Sequence, residues 1–278
     1  MSPLPTLFDL SSRVAVVTGG AGLLGTEFCR TLSAAGASVV VADLDINGAR
    51  SVADSVTRDF SAPISKPRVV AIQTDVTDKS STKDMVDMTI HQFGRLDILV
   101  NSAVLDPKFD PAHGGHVNTF EDFPLEVWNR AIEVNLTGAF LCSQAAAVPM
   151  LEQGNGVIIN LSSIYGITGP DQRLYQQDDR RQQYKPIFYS VTKTGLIGMT
   201  RYLATYYAGK NIRVNALSPG GVYNGHDESF VQAYSARTVM GRMAEKSDMN
   251  GALLFLASDA SSYMTGANLV VDGGWSVW

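Results

Sequence analysis

Short apolar runs alternate along the chain with longer segments that have the period of an amphipathic helix. The runs are rich in Val and Ile and end at Gly, Asn, Asp or Ser, a pattern typical of parallel strands that are covered on both faces. They predict seven strands: Val14–Val17, Val39–Asp43, Val69–Gln73, Leu96–Val100, Gly156–Ser163, Ile212–Leu217 and Asn268–Asp272.

The segments between these runs predict helices and loops. The helices are expected at Thr26–Leu32, Asn47–Phe60, Ser80–Phe93, Leu125–Met150, Asp248–Ala257 and from Phe188 to about Ala208. This alternation predicts an α/β fold: a Rossmann-type, doubly wound, mostly parallel sheet of seven strands flanked by helices. Because no linker or repeat interrupts the pattern, residues 1–278 are predicted to form a single domain.

Three irregular segments are expected to form substrate loops, at about 105–123, 169–187 and 221–246. Each follows a predicted strand, and open α/β sheets bind their ligands at the carboxyl ends of the strands. The first segment contains His113 and His116, but nothing near them in the sequence completes a metal-ligand set. No metal site is predicted.

Composition limits the class of protein. Hydrophobic residues make up 45% of the chain and charged residues 18%, as in ordinary globular domains, and a net charge of −5 argues against a nucleic-acid partner. The sequence has neither a long uninterrupted apolar run nor the pattern of a signal peptide, so no membrane span or export is expected. Cys29 and Cys142 lack metal-type spacing, which favours reduced, buried thiols in a cytoplasmic protein.

A glycine-rich turn follows the first predicted strand. Residues 20–25 read G-A-G-L-L-G and match G-x-G-x-x-G between a strand and a helix, the context in which this motif binds a dinucleotide pyrophosphate. The second strand ends at Asp43, where a carboxylate accepts hydrogen bonds from the adenosine ribose and repels a 2′-phosphate. No Arg or Lys occurs in residues 18–25 or 42–47, so the predicted cofactor is NAD rather than NADP.

Asp75 follows the third predicted strand and has two interpretations. It either caps the next helix or lies at the end of the strand against the adenine edge. Its position favours the second interpretation.

The candidate catalytic groups are a tyrosine and a lysine that share one helix face. Tyr189 and Lys193 are four positions apart, and an ammonium beside a phenol favours the phenolate, lowering a pKa that is near 10 in water. Such a tyrosine acts as general base in alcohol oxidation and as general acid in ketone reduction. Ser163, at the end of a neighbouring strand, is placed to hydrogen-bond the reacting oxygen.

Together these motifs resemble the short-chain dehydrogenase/reductase family, in its compact single-domain form, over essentially the whole chain. The matching stretches are Thr18–Gly25, Asp75–Val76, Asn101–Ala103, Asn135, Ser162–Ser163, Tyr189–Lys193, Pro219–Gly220 and Val271–Gly274. The resemblance implies Tyr189 as acid/base, Lys193 as the residue that lowers its pKa and binds the nicotinamide ribose, and Ser163 as the residue that orients the carbonyl. Asn135 is implied to support a water chain from Lys193 to solvent. The implied cofactor-binding residues are Gly19, Gly22, Leu24, Gly25, Asp43, Leu44, Asp75, Val76, Asn101, Ser102, Ala103, Tyr189, Lys193, Pro219, Gly220 and Val222.

Four departures from the family pattern bear on the substrate. The glycine spacing T-G-x-x-G-x-x-G is more usual in the longer, sugar-nucleotide-modifying branch, and Val104 replaces the closing glycine of the usual Asn-Asn-Ala-Gly. A threonine expected shortly after Pro219-Gly220 is absent, and Asn224 stands nearby. Ser163 and Tyr189 are 26 positions apart, about twice the usual separation in compact members.

The predicted function is that of an NAD-dependent oxidoreductase that interconverts a secondary alcohol and a ketone. A sugar or sugar derivative is the expected substrate, because the enlarged loops and the glycine spacing resemble members linked to bacterial surface-sugar and flagellin-glycan modification. The first two loops also carry many donors and acceptors, which suit a hydroxyl-rich ligand, although they are equally compatible with a solvated surface. They are Asp106, Lys108, His113, His116, Asn118, Gln172, Arg173, Gln176, Arg180 and Arg181.

Two alternative functions stay open: a sugar-nucleotide epimerase or dehydratase with tightly bound NAD, and a non-catalytic dinucleotide-binding regulator. The retained Ser, Tyr, Lys and Asn speak against the regulator.

The family implies a homodimer or homotetramer paired through helices around 128–150 and 193–208. In these helices Tyr202, Tyr206 and Tyr207 are either contacts between subunits or part of the core. Trp275 and Trp278 either reach a neighbouring subunit or cover the substrate pocket.

Overall fold

The computed structural model describes residues 4–59, 69–106, 119–175 and 183–278. These residues form one seven-stranded sheet in the order β3-β2-β1-β4-β5-β6-β7, and every neighbouring pair of strands is parallel. The strands are β1 Val14–Thr18, β2 Ser38–Asp43, β3 Val69–Gln73, β4 Ile98–Asn101, β5 Gly156–Leu161, β6 Ile212–Pro219 and β7 Asn268–Val271. The predicted Rossmann-type doubly wound sheet is confirmed, and where the sequence predicted a mostly parallel sheet, the described sheet is parallel throughout.

Helices cover both faces of the sheet. They are α1 Leu4–Leu7, α2 Leu23–Ala34, α3 Ile46–Asp59, α4 Lys79–Phe93, α5 Leu125–Ile132, α6 Gly138–Gln153, α7 Ile187–Tyr206, α8 Glu228–Ser235 and α9 Asn250–Ala257. Short 3-10 turns occur at Ile164–Gly166, Gln172–Tyr175, Lys246–Met249, Asp259–Ser261 and Trp275–Val277, and the second of these lies within the predicted loop at about 169–187. The predicted helix end at Phe60 lies outside the described residues.

Alternate residues of the central strands face two separate hydrophobic layers. Ala15 and Val17 of β1 pack on the side that carries α2, α3 and α9. Val16, between them, packs with residues of α4 and α6 on the other side. Because both faces are covered, the strands are apolar throughout, and this is why their sequences lack the polar alternation of a half-exposed sheet.

The helix predicted over Leu125–Met150 is interrupted. A single π-helical turn, Glu133–Thr137, separates α5 from α6, and such turns insert one residue into an otherwise regular helix. By length and composition the helical stretch Leu125–Gln153 would suit a membrane span. Half of its most apolar window is buried, however, and α6 packs against α4, β4 and β5, as expected of a core helix.

The strand order places the site. β1 lies between β2 and β4. From β1 the chain first adds β2 and β3 on one side, and it then returns to add β4 and the later strands on the other side of β1. A crevice forms outside the strands at such a switch point, and it is the usual ligand site of open α/β sheets. The turns after β1, β4, β5 and β6 all open onto this edge.

Candidate active site

The turn after β1 needs glycine at two positions for steric reasons. Gly19 has φ +64, and a Cβ on it would lie 2.7 Å from Cα of Ala103. A Cβ on Gly25 would lie 2.0 Å from the carbonyl oxygen of Gly19. Thr18 adds a clamp, because its hydroxyl accepts hydrogen bonds from the backbone N–H of Ser102 (3.2 Å) and Ala103 (3.4 Å). The predicted cofactor residues after β1 and β4 are therefore packed into one surface.

The same turn also meets the carboxylate of Asp43. One oxygen of Asp43 accepts a hydrogen bond from the backbone N–H of Ala21 (2.9 Å), and the other accepts one from the N–H of Asp45 (3.0 Å). Helix α2 begins at Leu23, and its N-cap Gly22 makes no side-chain cap hydrogen bond. A helix N-terminus without a side-chain cap is suited to bind the pyrophosphate of a dinucleotide.

Asp75 does not cap a helix. The N-cap of α4 is Asp78, whose side chain accepts from the N–H of Ser80 (2.8 Å), so the capping interpretation of Asp75 is wrong. Asp75 instead accepts from both the hydroxyl (2.7 Å) and the N–H (2.9 Å) of Thr77, and these hydrogen bonds lower its pKa. It remains beyond the carboxyl end of β3. Val76, next to it, is buried against Gly138 at the start of α6, whereas Leu44 is 57% exposed.

The amide of Asn101 lies below the crevice and joins three elements. Its Nδ2 donates to the hydroxyl of Ser143 on α6 (2.9 Å) and to Oδ1 of Asn160 on β5 (2.8 Å). Asn160 in turn donates to the hydroxyl of Thr200 on α7 (2.9 Å). All four side chains are buried. This network holds α6, α7 and the two strands in register beneath the site.

Ser163, Tyr189 and Lys193 come together at the carboxyl end of β5. Tyr189 and Lys193 occupy the first two turns of α7, and Ser163 is near enough to Tyr189 to lower the pKa of its phenol. The ammonium of Lys193 donates to the carbonyl of Leu161 (2.7 Å) and lies 5.7 Å from the ring centroid of Tyr189. Ser162, the other candidate serine, donates instead to the backbone carbonyl of Lys193 (2.7 Å) and so anchors α7.

The pKa of Tyr189 differs from the sequence-based expectation. Burial and the nearby carboxylate of Asp106 raise it, although the hydrogen bond from Ser163 lowers it. Burial also lowers the pKa of Lys193 to about 8. The prediction of a lowered tyrosine pKa is therefore wrong for the polypeptide by itself, because Lys193 is desolvated and its ammonium is held by a carbonyl rather than by the phenol oxygen.

Asn135 lies within the π-helical turn, and both atoms of its amide bind one backbone unit. Its Oδ1 accepts from the N–H of Leu105 (2.6 Å), and its Nδ2 donates to the carbonyl of Leu105 (3.1 Å). The side chain thus fixes the segment that leaves β4. Its part in a water chain from Lys193 stays a prediction.

Three of the predicted cofactor-binding residues, Pro219, Gly220 and Val222, lie at the end of β6 and just after it. The N–H of Gly220 donates to the carbonyl of Val271 (2.9 Å), and a Cβ on Gly220 would lie 2.8 Å from Cα of Asp272. Pro219 ends the strand, and Val222 forms a single parallel bridge with Ala244. This loop is thereby held against the end of β7.

Aromatic residues that the sequence did not single out cover Tyr189. Tyr165 meets its ring edge-on at 6.5 Å between centroids, and Tyr234 stacks on Trp275 at 4.3 Å. Trp275 is therefore part of its own subunit's cluster, whereas Trp278 is 82% exposed and donates from its indole N–H to the carbonyl of Arg237 (2.8 Å). Among these aromatic residues, Tyr165 is the one whose place near the site could have been predicted, because it lies two residues after Ser163 in the sequence.

The described polar residues of the substrate loops pair with one another. Asp106 accepts two hydrogen bonds from the ammonium of Lys185 (2.7 and 2.9 Å), which lies 4.0 Å from the ring centroid of Tyr189. Asp171 pairs with Arg173 and Arg237. The remaining loop candidates, Lys108, His113, His116, Asn118, Gln176, Arg180 and Arg181, lie outside the described residues. Within the described part, no cluster of His, Cys, Asp or Glu has the makings of a metal site.

Comparison with known proteins identifies the family. Residues 20–276 match the family model described as enoyl-(acyl carrier protein) reductase. The chain is 35% identical over 265 residues to the trans-4-hydroxycyclohexanecarboxylate dehydrogenase of Sinomonas cyclohexanicum, which covers 95% of this chain and 93% of that protein.

Two solved structures have the same fold. The short-chain type dehydrogenase/reductase from Mycobacterium marinum matches with a TM-score of 0.82 and 31% identity over 97% of each chain. The gluconate 5-dehydrogenase from Burkholderia cenocepacia J2315, in complex with NADP and tartrate, matches with a TM-score of 0.84 and 27% identity over 99% of this chain and 100% of that one. This chain therefore belongs to the short-chain dehydrogenase/reductase family and is an oxidoreductase that interconverts hydroxyl and carbonyl groups with a nicotinamide cofactor.

Proposed function

We propose that this protein is an NAD-dependent dehydrogenase of a secondary alcohol, with Tyr189 as the general acid/base. The observation that carries the proposal is that Ser163, Tyr189 and the buried ammonium of Lys193 come together at the carboxyl end of β5, on the edge of the sheet where the switch point lies. The cofactor supplies the hydride acceptor. Ser163 and Tyr189 hold the substrate oxygen, and Tyr189 takes its proton in oxidation and returns it in reduction.

The preference for NAD over NADP rests on Asp43. One oxygen of its carboxylate lies 2.9 Å from the backbone nitrogen of Ala21 in the glycine turn. A dinucleotide whose pyrophosphate binds at this turn places its adenosine ribose beside the acidic residue at the end of the second strand. A 2′-phosphate there would face a fixed negative charge, with no Arg or Lys in residues 18–25 or 42–47 to neutralise it. The similar gluconate dehydrogenase is a complex with NADP, so this preference is our proposal for this chain alone.

Two substrate classes are proposed for direct comparison. A sugar or sugar acid agrees with the glycine spacing and with the likeness to a gluconate dehydrogenase. A ring-containing alcohol is favoured by the aromatic cluster of Tyr165, Tyr175, Tyr234 and Trp275 around Tyr189, and by the likeness to a hydroxycyclohexanecarboxylate dehydrogenase. Asp106 and Asp171 are paired with cationic side chains of the loops, so among the described residues the aromatic cluster supplies the apolar surface beside Tyr189. We therefore place the ring-containing alcohol first.

A homodimer or homotetramer is also proposed. Phe140, Val148 and Leu151 form an exposed apolar stripe on α6, and Tyr202 and Tyr206 stack on each other on the exposed face of α7. Tyr207, by contrast, is buried in the core. Exposed stripes of this kind on neighbouring core helices fit a second copy of the chain.

Replacing Tyr189 by Phe tests the proposed function. We expect NADH formation from the best alcohol of a panel of sugars, sugar acids and cyclic secondary alcohols to fall at least about 100-fold, since general acid–base catalysis contributes that much. Binding of NAD should be retained. Tyr263→Phe is the matched control, because Tyr263 is fully exposed.

Two results would contradict the proposal. Turnover that survives Tyr189→Phe would remove the tyrosine from its catalytic role. Purified protein that retains NAD and oxidises no alcohol of the panel would favour the epimerase or the regulator instead.

A further inference from the structure

We propose that the ion pair between Lys185 and Asp106 acts as a positioning pair for Tyr189 and sets how readily the tyrosine gives up its proton. The inference rests on the proposed role of Tyr189 as acid/base. It assigns a task to two residues outside the Ser163, Tyr189 and Lys193 group, one from each enlarged loop.

The geometry places both charges at the phenol. The ammonium of Lys185 lies 4.0 Å from the ring centroid of Tyr189, closer than the ammonium of Lys193 at 5.7 Å. Asp106 receives two hydrogen bonds from the same ammonium, at 2.7 and 2.9 Å. The Lys185 side chain is only 12% exposed, so water screens this arrangement weakly.

Both members of the pair are held in place by their backbones. Asp106 follows Leu105, whose N–H and carbonyl are both bound by the amide of Asn135. The N–H of Lys185 donates to the side-chain oxygen of Gln172 (2.8 Å), and Pro186 restricts the residue before it. The ion pair is therefore a built contact between the segment after β4 and the segment before α7.

The two charges act on the phenol in opposite directions. A cation over the ring stabilises the phenolate more than the neutral phenol, and a nearby carboxylate does the reverse. Asp106 raises the pKa of Tyr189, and in our proposal the ammonium of Lys185 over the ring opposes that rise, so removal of either charge leaves the effect of the other unopposed. The charged and titratable side chains that face Tyr189 among the described residues are Lys185, Lys193, Asp106, Tyr165, Tyr175 and Tyr234.

The charges of Asp106 and Lys185 shift the pKa of Lys193 in the same directions in which they act on the pKa of the phenol. Asp106 raises the pKa of Lys193 and Lys185 lowers it. Because the Tyr189 and Lys193 sites are neighbours, their titrations are coupled, and a midpoint belongs to the pair. Loss of Asp106 therefore lowers both midpoints, and loss of Lys185 raises both.

The test is an NMR titration that needs no substrate. The full chain carries tyrosine labelled with carbon-13 at Cζ and lysine labelled at Cε, and the two resonances are assigned with Tyr189→Phe and Lys193→Arg. The variants are Asp106→Asn, Lys185→Met, their combination, and Lys185→Arg as the charge-conserving control. The midpoint of Lys193, expected near the pKa of about 8, and the onset of Tyr189 ionisation are followed in each variant.

We expect Asp106→Asn to lower both midpoints by about one pH unit and Lys185→Met to raise them by about one unit, the usual effect of one charge at this range. The double variant and Lys185→Arg should stay close to wild type. Both single variants break the ion pair between Lys185 and Asp106. If the pair had a purely structural role, the two variants would therefore shift the midpoints in the same direction. Any result other than opposite shifts overturns the proposal.

The outcome is independent of the proposed function. Failure of the titration leaves the Tyr189→Phe assay unaffected. Turnover that survives Tyr189→Phe removes the catalytic role of the tyrosine without changing the titration.

Discussion

At the scale of single residues, Asp43 has a structural role and is also the residue on which the proposed preference for NAD depends. Its two oxygens accept backbone N–H groups from Ala21 and Asp45, which ties the end of β2 to the glycine turn. The same carboxylate is the negative charge that an adenosine 2′-substituent would meet. In the proposed preference for NAD, selectivity depends on one charge whose position is fixed by backbone N–H groups.

Asp43→Asn is predicted to weaken the preference for NAD. The amide keeps one acceptor oxygen but loses the charge, so the ratio of kcat/KM with NAD to that with NADP should fall by about 10-fold or more, the effect of ~1.4 kcal/mol. Steady-state kinetics with both cofactors measures it. Asp45→Asn is the matched control, since it removes the same charge two residues away. A wild-type enzyme that uses NADP as well as NAD would contradict the prediction.

The residues of the site differ in how far the sequence reveals them. Tyr189, Lys193 and Ser163 follow from spacing, because an i to i+4 pair shares a helix face and the ends of parallel strands meet at one edge. Lys185 gives no such signal. Its partner Asp106 is 79 positions away, and a contact of that separation depends on how two irregular loops fold against each other. The direction of the Tyr189 pKa was missed for the same reason, since burial is a tertiary property.

At the scale of elements, the π-helical turn between α5 and α6 has an identifiable use. It carries Asn135, whose amide binds both backbone groups of Leu105. Hydrophobic period alone predicts an uninterrupted helix here, because one inserted residue shifts the period too little to be seen in a sequence. Such turns are frequent at functional sites, and this one links the core helix to the loop that carries Asp106.

A second link joins the segment before α7 to the segment after α8. Asp171 accepts hydrogen bonds from the guanidinium (2.9 Å) and N–H (3.1 Å) of Arg173, and it pairs with Arg237, which lies 5.9 Å from the ring of Trp275. The Arg173 hydrogen bonds are the main cause that lowers the pKa of Asp171 to about 2. The carboxylate thus joins two substrate loops beside the aromatic cluster.

Asp171→Asn is predicted to destabilise the protein at neutral pH but not in acid. A folded pKa below the unfolded value gives stability that is complete above about pH 4 and is lost as the pH falls towards 2. The Arg173 side chain is 78% exposed, so solvent screens its interaction with Asp171. The expected loss in the free energy of unfolding at neutral pH is therefore about 1 kcal/mol.

Urea unfolding of wild type and variant at pH 7, 5, 4 and 3 measures the difference. Asp59→Asn, which removes an exposed pair with Arg30, is the control and should change the unfolding free energy little. A difference between wild type and Asp171→Asn that stays constant from pH 7 to pH 3 would contradict the assignment to Asp171.

At the scale of the whole molecule, the sheet was the part most open to prediction. The central strands β1, β4 and β5 are buried on both faces, so their apolar runs mark them directly, and the alternation with helices indicates parallel crossovers. The edges were less certain: the predicted first helix began three residues late, because Leu23 to Gly25 have the residues of a turn although they are helical. The loops over the site remained undetermined, since their contacts are made by charges and aromatic rings without a period.

Two exposed surfaces carry the proposed association of copies. Tyr202 is 66% exposed and stacks on Tyr206 on α7, and Phe140, Val148 and Leu151 form an exposed apolar stripe on α6. Tyr202→Glu should place a charge in that contact and weaken association by about 30-fold, since loss of an aromatic anchor costs ~2 kcal/mol. Light scattering after size exclusion should give a multiple of 29.9 kDa for wild type and a shift towards 29.9 kDa for the variant as the protein is diluted.

Met88→Glu, at an exposed site on α4, is the control and should keep the wild-type mass. A wild-type protein that already runs at 29.9 kDa, or a Tyr202→Glu variant with unchanged mass, would contradict the proposed contact, and α6 and α7 would then have their roles in the core and in holding Tyr189 and Lys193 alone.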